Sequence, residues 1–248
     1  MSWLIDREVW HQIYTYIRGR LKLSFDLDQK ATDILSSILD SMPNTVEVDH
    51  LKRITLNRRV FVLGPAPSID RDFRRAEALG LLHGCALISV DGASSYLYEI
   101  GVVPDIIVTD LDGNPQHIAY LNSRGSTAIV HGHGDNIDEV VLWVQKLSGP
   151  VIGSTQAEPR PHVYNFGGFT DGDRALYIAY ALGVREVFLG GMDFCGEIGA
   201  YSIAYKKKDV EVKRAKMNIA VELVEMLVRW GMKIKSLSRT CVPGVEVV

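Results

Sequence analysis

Val60-Phe61-Val62-Leu63-Gly64-Pro65-Ala66-Pro67-Ser68 opens the part of the chain that decides the fold. Four apolar residues run into a glycine-proline turn, an amphipathic stretch covers 69–82, and a second apolar run, Ala86-Leu87-Ile88-Ser89-Val90, follows. The unit then recurs. Apolar runs at 105–108, 127–130, 151–152, 163–165, 187–189 and 232–234 alternate with helical candidates at 94–100, 115–123, 137–147, 171–182 and 213–230. Such alternation predicts parallel strands joined by right-handed crossovers, hence an α/β protein with a mainly parallel sheet and helices on both faces. The runs are continuously apolar, which marks strands buried on both sides.

Residues 1–55 read differently. Trp3, Trp10, Ile13, Tyr14, Ile17 and Leu21 recur at helical spacing, and so do Leu27, Ala31, Ile34, Leu35, Ile38 and Leu39. This predicts an N-terminal segment of about two helices ahead of an α/β catalytic domain over 56–248. Asp26 or Asp28 is suited to cap the second helix, and Met42-Pro43 to stop it. The segment carries no recognisable chemistry, so packing and self-association into a homo-oligomer are its expected roles.

Composition narrows the function. The 248 residues are 47% hydrophobic and 23% charged, with 27 Lys and Arg against 30 Asp and Glu, a formal charge of −3. That balance argues against nucleic acid or an anionic membrane as partner. No apolar run approaches the ~18 residues that span a bilayer. Asp6, Arg7 and Glu8 interrupt the place where a signal peptide needs its apolar stretch, so a cytoplasmic protein is expected. Cys85, Cys195 and Cys241 are too widely spaced for a zinc knuckle or a disulfide framework. Lys206-Lys207-Lys208 falls in a stretch read as a surface loop over 196–210.

In a parallel sheet, ligands bind beyond the carboxyl ends of the strands. The residues there are repeatedly acidic: Asp91-Gly92-Ala93-Ser94, Thr109-Asp110-Leu111-Asp112-Gly113, His131-Gly132-His133-Gly134-Asp135-Asn136, Thr170-Asp171-Gly172-Asp173-Arg174 and Gly191-Met192-Asp193. One aspartate after a strand is a helix cap. A set at successive strand ends is costly, because two like charges about 4 Å apart repel by ~4 kcal/mol at an effective dielectric of 20. A cation is expected among them, and hard oxygen ligands select Mg²⁺. Asp110 and Asp112, two apart on an extended end, share a face with Cα atoms roughly 6.5 Å apart and are the expected metal ligands.

The turn at 64–68 is the expected phosphate or nucleoside contact, with Gly64 and Pro65 shaping it and Ser68 at a helix N-terminus. It lacks the lysine of a Walker A loop and the glycine spacing of a dinucleotide fingerprint. His131 and His133 raise a zinc reading, but too few further ligands accompany them, which favours contact with phosphate or substrate. Cys195 has no paired base, and no serine-hydrolase elbow or zincin helix is present.

Taken together, Asp91-Gly92-Ala93-Ser94 and the strand ending in Asp110-Leu111-Asp112-Gly113 resemble the thiamin pyrophosphokinase-like fold, a Rossmann-like α/β arrangement. The motifs around His131–Asn136, Thr170–Arg174 and Asp193 are closer to one branch, the archaeal 6-hydroxymethyl-7,8-dihydropterin pyrophosphokinases. The resemblance runs from about residue 60 to 236. It departs at Gly113, where thiamin pyrophosphokinases carry serine, at their Thr-Asp pair, for which Asp135 is the nearest counterpart, and at Ala66, where a second glycine is expected.

The resemblance implies Mg²⁺-dependent transfer of pyrophosphate from ATP to the hydroxymethyl group of the pterin, with AMP released. It places Asp110 and Asp112 on the metal, and Asp91 and Asp135 on metal-bound water or on the acceptor hydroxyl. It places Gly64, Pro65, Ser68, Gly92, Ser94, His133, Thr170, Asp171, Asp173 and Asp193 along the nucleotide and substrate edge, with Lys206–Lys208 as a lid. The partners are then small molecules, ATP and a pterin alcohol. Two other readings stand beside it: a metal-dependent nucleotide-sugar glycosyltransferase of the flagellin-modifying type, and a nucleotide-binding module without turnover.

Overall fold

The computed structural model describes residues 2–194 and 210–248. Nine strands form one parallel sheet. They are β1 (Val60–Leu63), β2 (Ala86–Val90), β3 (Ile106–Thr109), β4 (Thr127–Gly132), β5 (Val151–Thr155), β6 (Val163–Tyr164), β7 (Glu186–Gly190), β8 (Lys233–Ser236) and β9 (Glu246–Val247). Their order is β6-β5-β4-β3-β2-β1-β7-β8-β9, so the direction of growth reverses between β1 and β7. The helices are α1 (Arg7–Leu21), α2 (Phe25–Asp40), α3 (Val48–Thr55), α4 (Ile69–Ala78), α5 (Ala93–Glu99), α6 (Pro115–Ser123), α7 (Ile137–Trp143), α8 (Asp171–Ala181) and α9 (Val210–Arg229).

Every residue of β1 to β6 is buried, as two-sided burial of apolar runs requires. The period-2 alternation assigns them to two cores. Val60, Val62, Ile88, Ile106, Val108, Ile129 and Ile152 face α8 and α9 together with Ile17 of α1 and Leu51 of α3. Phe61, Leu63 and Leu87 face α4 and α5, and Ile107, Ala128, Val130 and Val151 face α6, α7 and Leu35 and Leu39 of α2. The N-terminal helices therefore divide between the faces, α1 and α3 on one and α2 on the other.

Four details differ from the sequence reading. The N-terminal segment holds three helices, because Val48 and Leu51 give the short stretch 48–55 an apolar side of its own. Ser24, rather than Asp26 or Asp28, caps α2, its hydroxyl accepting from the Leu27 amide. The two-residue β9, both residues exposed, is too short for a periodicity signal. Cys85 is a free buried thiol whose pKa burial pushes up to about 11. Cys241 is disulfide-bonded, which the spacing gives no reason to expect. Cys195 and Lys206–Lys208 lie outside the described residues.

Candidate active site

The carboxyl ends of β2, β3 and β4 lie side by side, and the parallel register carries their terminal side chains to one rim. Asp91, Asp110 and Asp112 meet there, each offering a carboxylate oxygen, with all three oxygens within 4.8 Å of one another. Two backbone features make this approach work. Asp91 has φ +33° and Leu111, fully buried, φ +64°. Such left-handed non-glycine residues cost of order 1–3 kcal/mol each and persist where surroundings hold them. The surroundings are visible. Thr109 Oγ1 accepts from the Leu111 amide at 2.9 Å and donates to Asp91 Oδ1 at 2.8 Å, while the Asp112 amide donates to Asp110 Oδ1 at 3.1 Å.

Gly113 explains itself here. A Cβ at that position would stand 2.8 Å from Asp91 Oδ2. A side chain there would displace the Asp91 carboxylate, so the glycine leaves room for its close approach.

The loop after β4 braces the same site. His133 Nε2 lies 3.3 Å from Asp110 Oδ2, both side chains being mostly buried. Asn136 is buried and joins strands: its Nδ2 donates to the carbonyls of Asp110 and His131, each at 2.7 Å, and its Oδ1 accepts from the His133 amide. His131 is itself buried against Ser154, with its pKa driven well below the usual histidine value by burial and by the Arg174 and His133 charges.

The electrostatics divide the triad. Burial pushes the pKa of Asp91 well above the usual carboxylate range, and the charges of Asp110, Asp171 and Asp112 add to the effect. Burial also opposes ionisation of Asp110, but the hydrogen bond and charge of His133 outweigh it and hold Asp110 below its ordinary value. Asp171 is paired with the buried Arg174, whose Nη1 stands 2.6 Å from Asp171 Oδ1 and whose Nη2 donates to the Phe169 carbonyl. Hard oxygen donors converging on one point, with a like-charge penalty between them, fit a divalent cation such as Mg²⁺.

A family model described as 6-hydroxymethylpterin diphosphokinase MptE-like matches residues 36–199. The chain belongs to this family. The 6-hydroxymethyl-7,8-dihydropterin pyrophosphokinase of Methanocaldococcus jannaschii is 37% identical over 233 residues, 90% of this chain and 96% of that protein. The protein of the same name from Pyrococcus furiosus is 36% identical over 230 residues, 92% of this chain and 94% of that one. Among solved structures, the MAf glycosyltransferase of Magnetospirillum magneticum AMB-1 matches with a TM-score of 0.51 at 18% identity, covering 77% of this chain and 33% of that chain. At that identity the likeness concerns the fold alone.

Within this MptE-like chain the remaining expected residues distribute as follows. Asp135 does not join the triad: its side chain is exposed and its amide donates to His133 Nδ1. Ser94 is fully buried against Ser89, and its amide donates to the Asp91 carbonyl, which makes it a support for the turn rather than a ligand contact. Gly92 stands at the N-cap of α5, the first residue after Asp91. Thr170 and Asp173 are engaged in the cap of α8, where Asp173 accepts from the amides of Phe169 and Thr170 and from the Thr170 hydroxyl. Asp171, between them, is the residue of this stretch that reaches the triad electrostatically.

The turn at 64–68 offers no amide cradle. Pro65 and Pro67 have no N–H, and the amides of Gly64 and Ala66 donate to the carbonyls of Gly190 and Gly191. Instead the turn is stitched to the end of β7, and Ser68 Oγ donates to Asp193 Oδ1 at 2.8 Å. Ser238 Oγ lies 2.9 Å from Ser68 Oγ and donates to the buried Asp72. Sequence reasoning missed Thr109, Asn136, Asp72 and Ser238. The first two lie within the quoted motifs without having been given a role, whereas nothing local marks Asp72 or Ser238.

Proposed function

We propose that this chain transfers a pyrophosphoryl group from ATP to the hydroxymethyl group of 6-hydroxymethyl-7,8-dihydropterin in a Mg²⁺-dependent reaction that releases AMP. The observation that carries the reading is the convergence of Asp91, Asp110 and Asp112 on one rim of an MptE-like chain. The pterin is the substrate named for the relatives in M. jannaschii and P. furiosus.

In this reading Asp110 and Asp112 hold the cation. When bound, Mg²⁺ supplies charge neutralisation for the phosphate oxygens and a template for their alignment. Asp91, kept more basic than Asp110 by burial and like charge, faces the acceptor hydroxyl and takes its proton as the oxygen attacks the β-phosphorus. The bond from the β-phosphorus to the α–β bridging oxygen breaks, and AMP leaves with that oxygen. His133 keeps Asp110 ionised throughout. The nucleoside sits at the reversal of strand order between β1 and β7, the crevice favoured in open α/β sheets, where Ser68 and Asp193 present polar groups.

The test is direct. Incubation with Mg-ATP and the pterin alcohol, resolved by chromatography, yields AMP and the pterin diphosphate ester in equal amounts. Turnover of a sugar nucleotide instead, or nucleotide binding without pterin-dependent AMP, overturns the assignment.

A further inference from the structure

The N-terminal helices reach the active-site rim through one buried carboxyl group. Asp28, in the first turn of α2 and 4% exposed, accepts from the Gly134 amide at 2.7 Å, from Gln156 Nε2 at 2.8 Å and from the Tyr14 hydroxyl. Its own carbonyl accepts from Thr32 Oγ1, which lies 2.6 Å from Thr155 Oγ1 at the end of β5. Trp10 Nε1 donates to the Gln156 carbonyl. Three elements, α1, α2 and the end of β5, thus fix one carboxyl group: Tyr14 and Gln156 hold its Oδ2, and its other oxygen, Oδ1, holds Gly134.

Gly134 belongs to the loop that carries His133 and Asn136, and both of these contact Asp110, one at its side chain and one at its backbone carbonyl. The loop also lies hard against α2: a Cβ on Gly134 would come within 2.7 Å of Leu27 Cβ. Asp28 stands outside residues 36–199, the span matched by the family model.

We propose that Asp28 is a positioning residue: by holding the Gly134 amide it fixes the 131–136 loop, and through His133 and Asn136 it fixes Asp110 at the cation site. The inference rests on the assignment of Asp110 to the cation. Groups that orient a metal ligand without touching the metal typically change its affinity by about 10–100-fold when removed. The N-terminal segment is then part of the catalytic apparatus and not only a cover for the sheet.

The experiment uses the full chain and two readouts, amide hydrogen exchange at 134–136 and the affinity for Mn²⁺ as a paramagnetic stand-in for Mg²⁺. Asp28→Ala should speed exchange in the loop by about tenfold or more and weaken Mn²⁺ by about tenfold. Asp28→Asn keeps an acceptor for the Gly134 amide, with Tyr14 and Gln156 able to turn and accept from the new amide, so it should restore both. Gly134→Ala, which pushes the loop off Leu27 while leaving Asp28 in place, should reproduce the loss. Leu39→Ala, a core truncation on the same helix, should lower the melting temperature without changing either readout. Unchanged exchange in Asp28→Ala and Gly134→Ala would overturn the anchor. So would the same losses in Leu39→Ala, because general loosening would then explain them. A wild-type chain whose Mn²⁺ binding is indifferent to Asp110→Asn would refute the cation assignment instead, while loop exchange still judges the anchor.

Discussion

Asp91 and Thr109 are joined by a 2.8 Å hydrogen bond that crosses from the end of β2 to the end of β3. The same hydroxyl accepts from the Leu111 amide, so one oxygen sets both an acidic side chain and the left-handed residue between the other two acids. Thr109→Val keeps the shape and removes the oxygen. A buried group left without its partner costs about 1–3 kcal/mol. We expect a lower melting temperature and at least a tenfold loss of turnover, with Thr109→Ser retaining both within about threefold. Steady-state kinetics beside thermal unfolding checks the pair, and a fully active Thr109→Val refutes the role.

Crowded carboxylates make the cation-free site unfavourable. Asp112→Asn removes one charge from the triad and should therefore raise the melting temperature of the metal-free protein. A relief of about 1 kcal/mol corresponds to roughly 2–4 °C at this size. The same variant should lose the stabilisation that Mg²⁺ with a nonhydrolysable ATP analogue gives the wild type by mass action. Both effects are read from one set of melting curves, and a stabilisation by Mg²⁺ equal to that of wild type would show that Asp112 does not hold the ion.

Gly113 should tolerate no side chain. With a Cβ built 2.8 Å from Asp91 Oδ2, Gly113→Ala displaces the carboxylate that the mechanism uses for the hydroxyl proton. The residue lies on the rim rather than in either core, so the expected result is loss of turnover by about a hundredfold with a change of under 1 kcal/mol in stability. Activity near wild type in this variant would show that the Asp91 geometry is dispensable.

His131 makes stability depend on pH. Its folded pKa lies well below the unfolded value of about 6.5, because burial and the charges of Arg174 and His133 oppose protonation. The unfolded chain therefore binds the proton first as pH falls through 6.5. The contribution of this group is fully present above that value and is lost below it, at up to about 1.4 kcal/mol per pH unit. His131→Asn, which keeps a partner for Ser154, should flatten the difference between unfolding free energies measured at pH 7.5 and pH 5.5. Identical pH slopes in the two proteins would remove the histidine from the account.

Much of this architecture is legible in the chain itself. Continuous apolar runs such as Ala86–Val90 are strands because a residue buried on both faces leaves no polar alternation. Asp91 and Asp110 are recoverable because each follows such a run directly, and Asp112 because it stands two residues beyond Asp110; topology then brings the ends together. What sequence conceals is reach. Asp28 contacts Gly134 across 106 residues, and its own helix gives it an ordinary cap-like place near the first turn. Asp135 misleads for the opposite reason: it sits in the right motif, but the loop turns its side chain outward. The turn at 64–68 occupies a phosphate-binding position by order, yet its amides are taken by a neighbouring strand end that local sequence does not announce.

The first residues of the chain run alongside β6. Trp3 bridges Asn165 in parallel, the Leu4 amide donates to the Asn165 carbonyl at 2.8 Å, and the Asn165 amide donates to the Ser2 carbonyl at 3.0 Å. Unpaired strand margins invite pairing between molecules, and this one is closed by the protein's own backbone, while the far margin is reduced to the two residues of β9. Residues 2–4 thus act as a selvedge on the sheet, occupying backbone donors and acceptors at Asn165 that a neighbouring copy would otherwise find open.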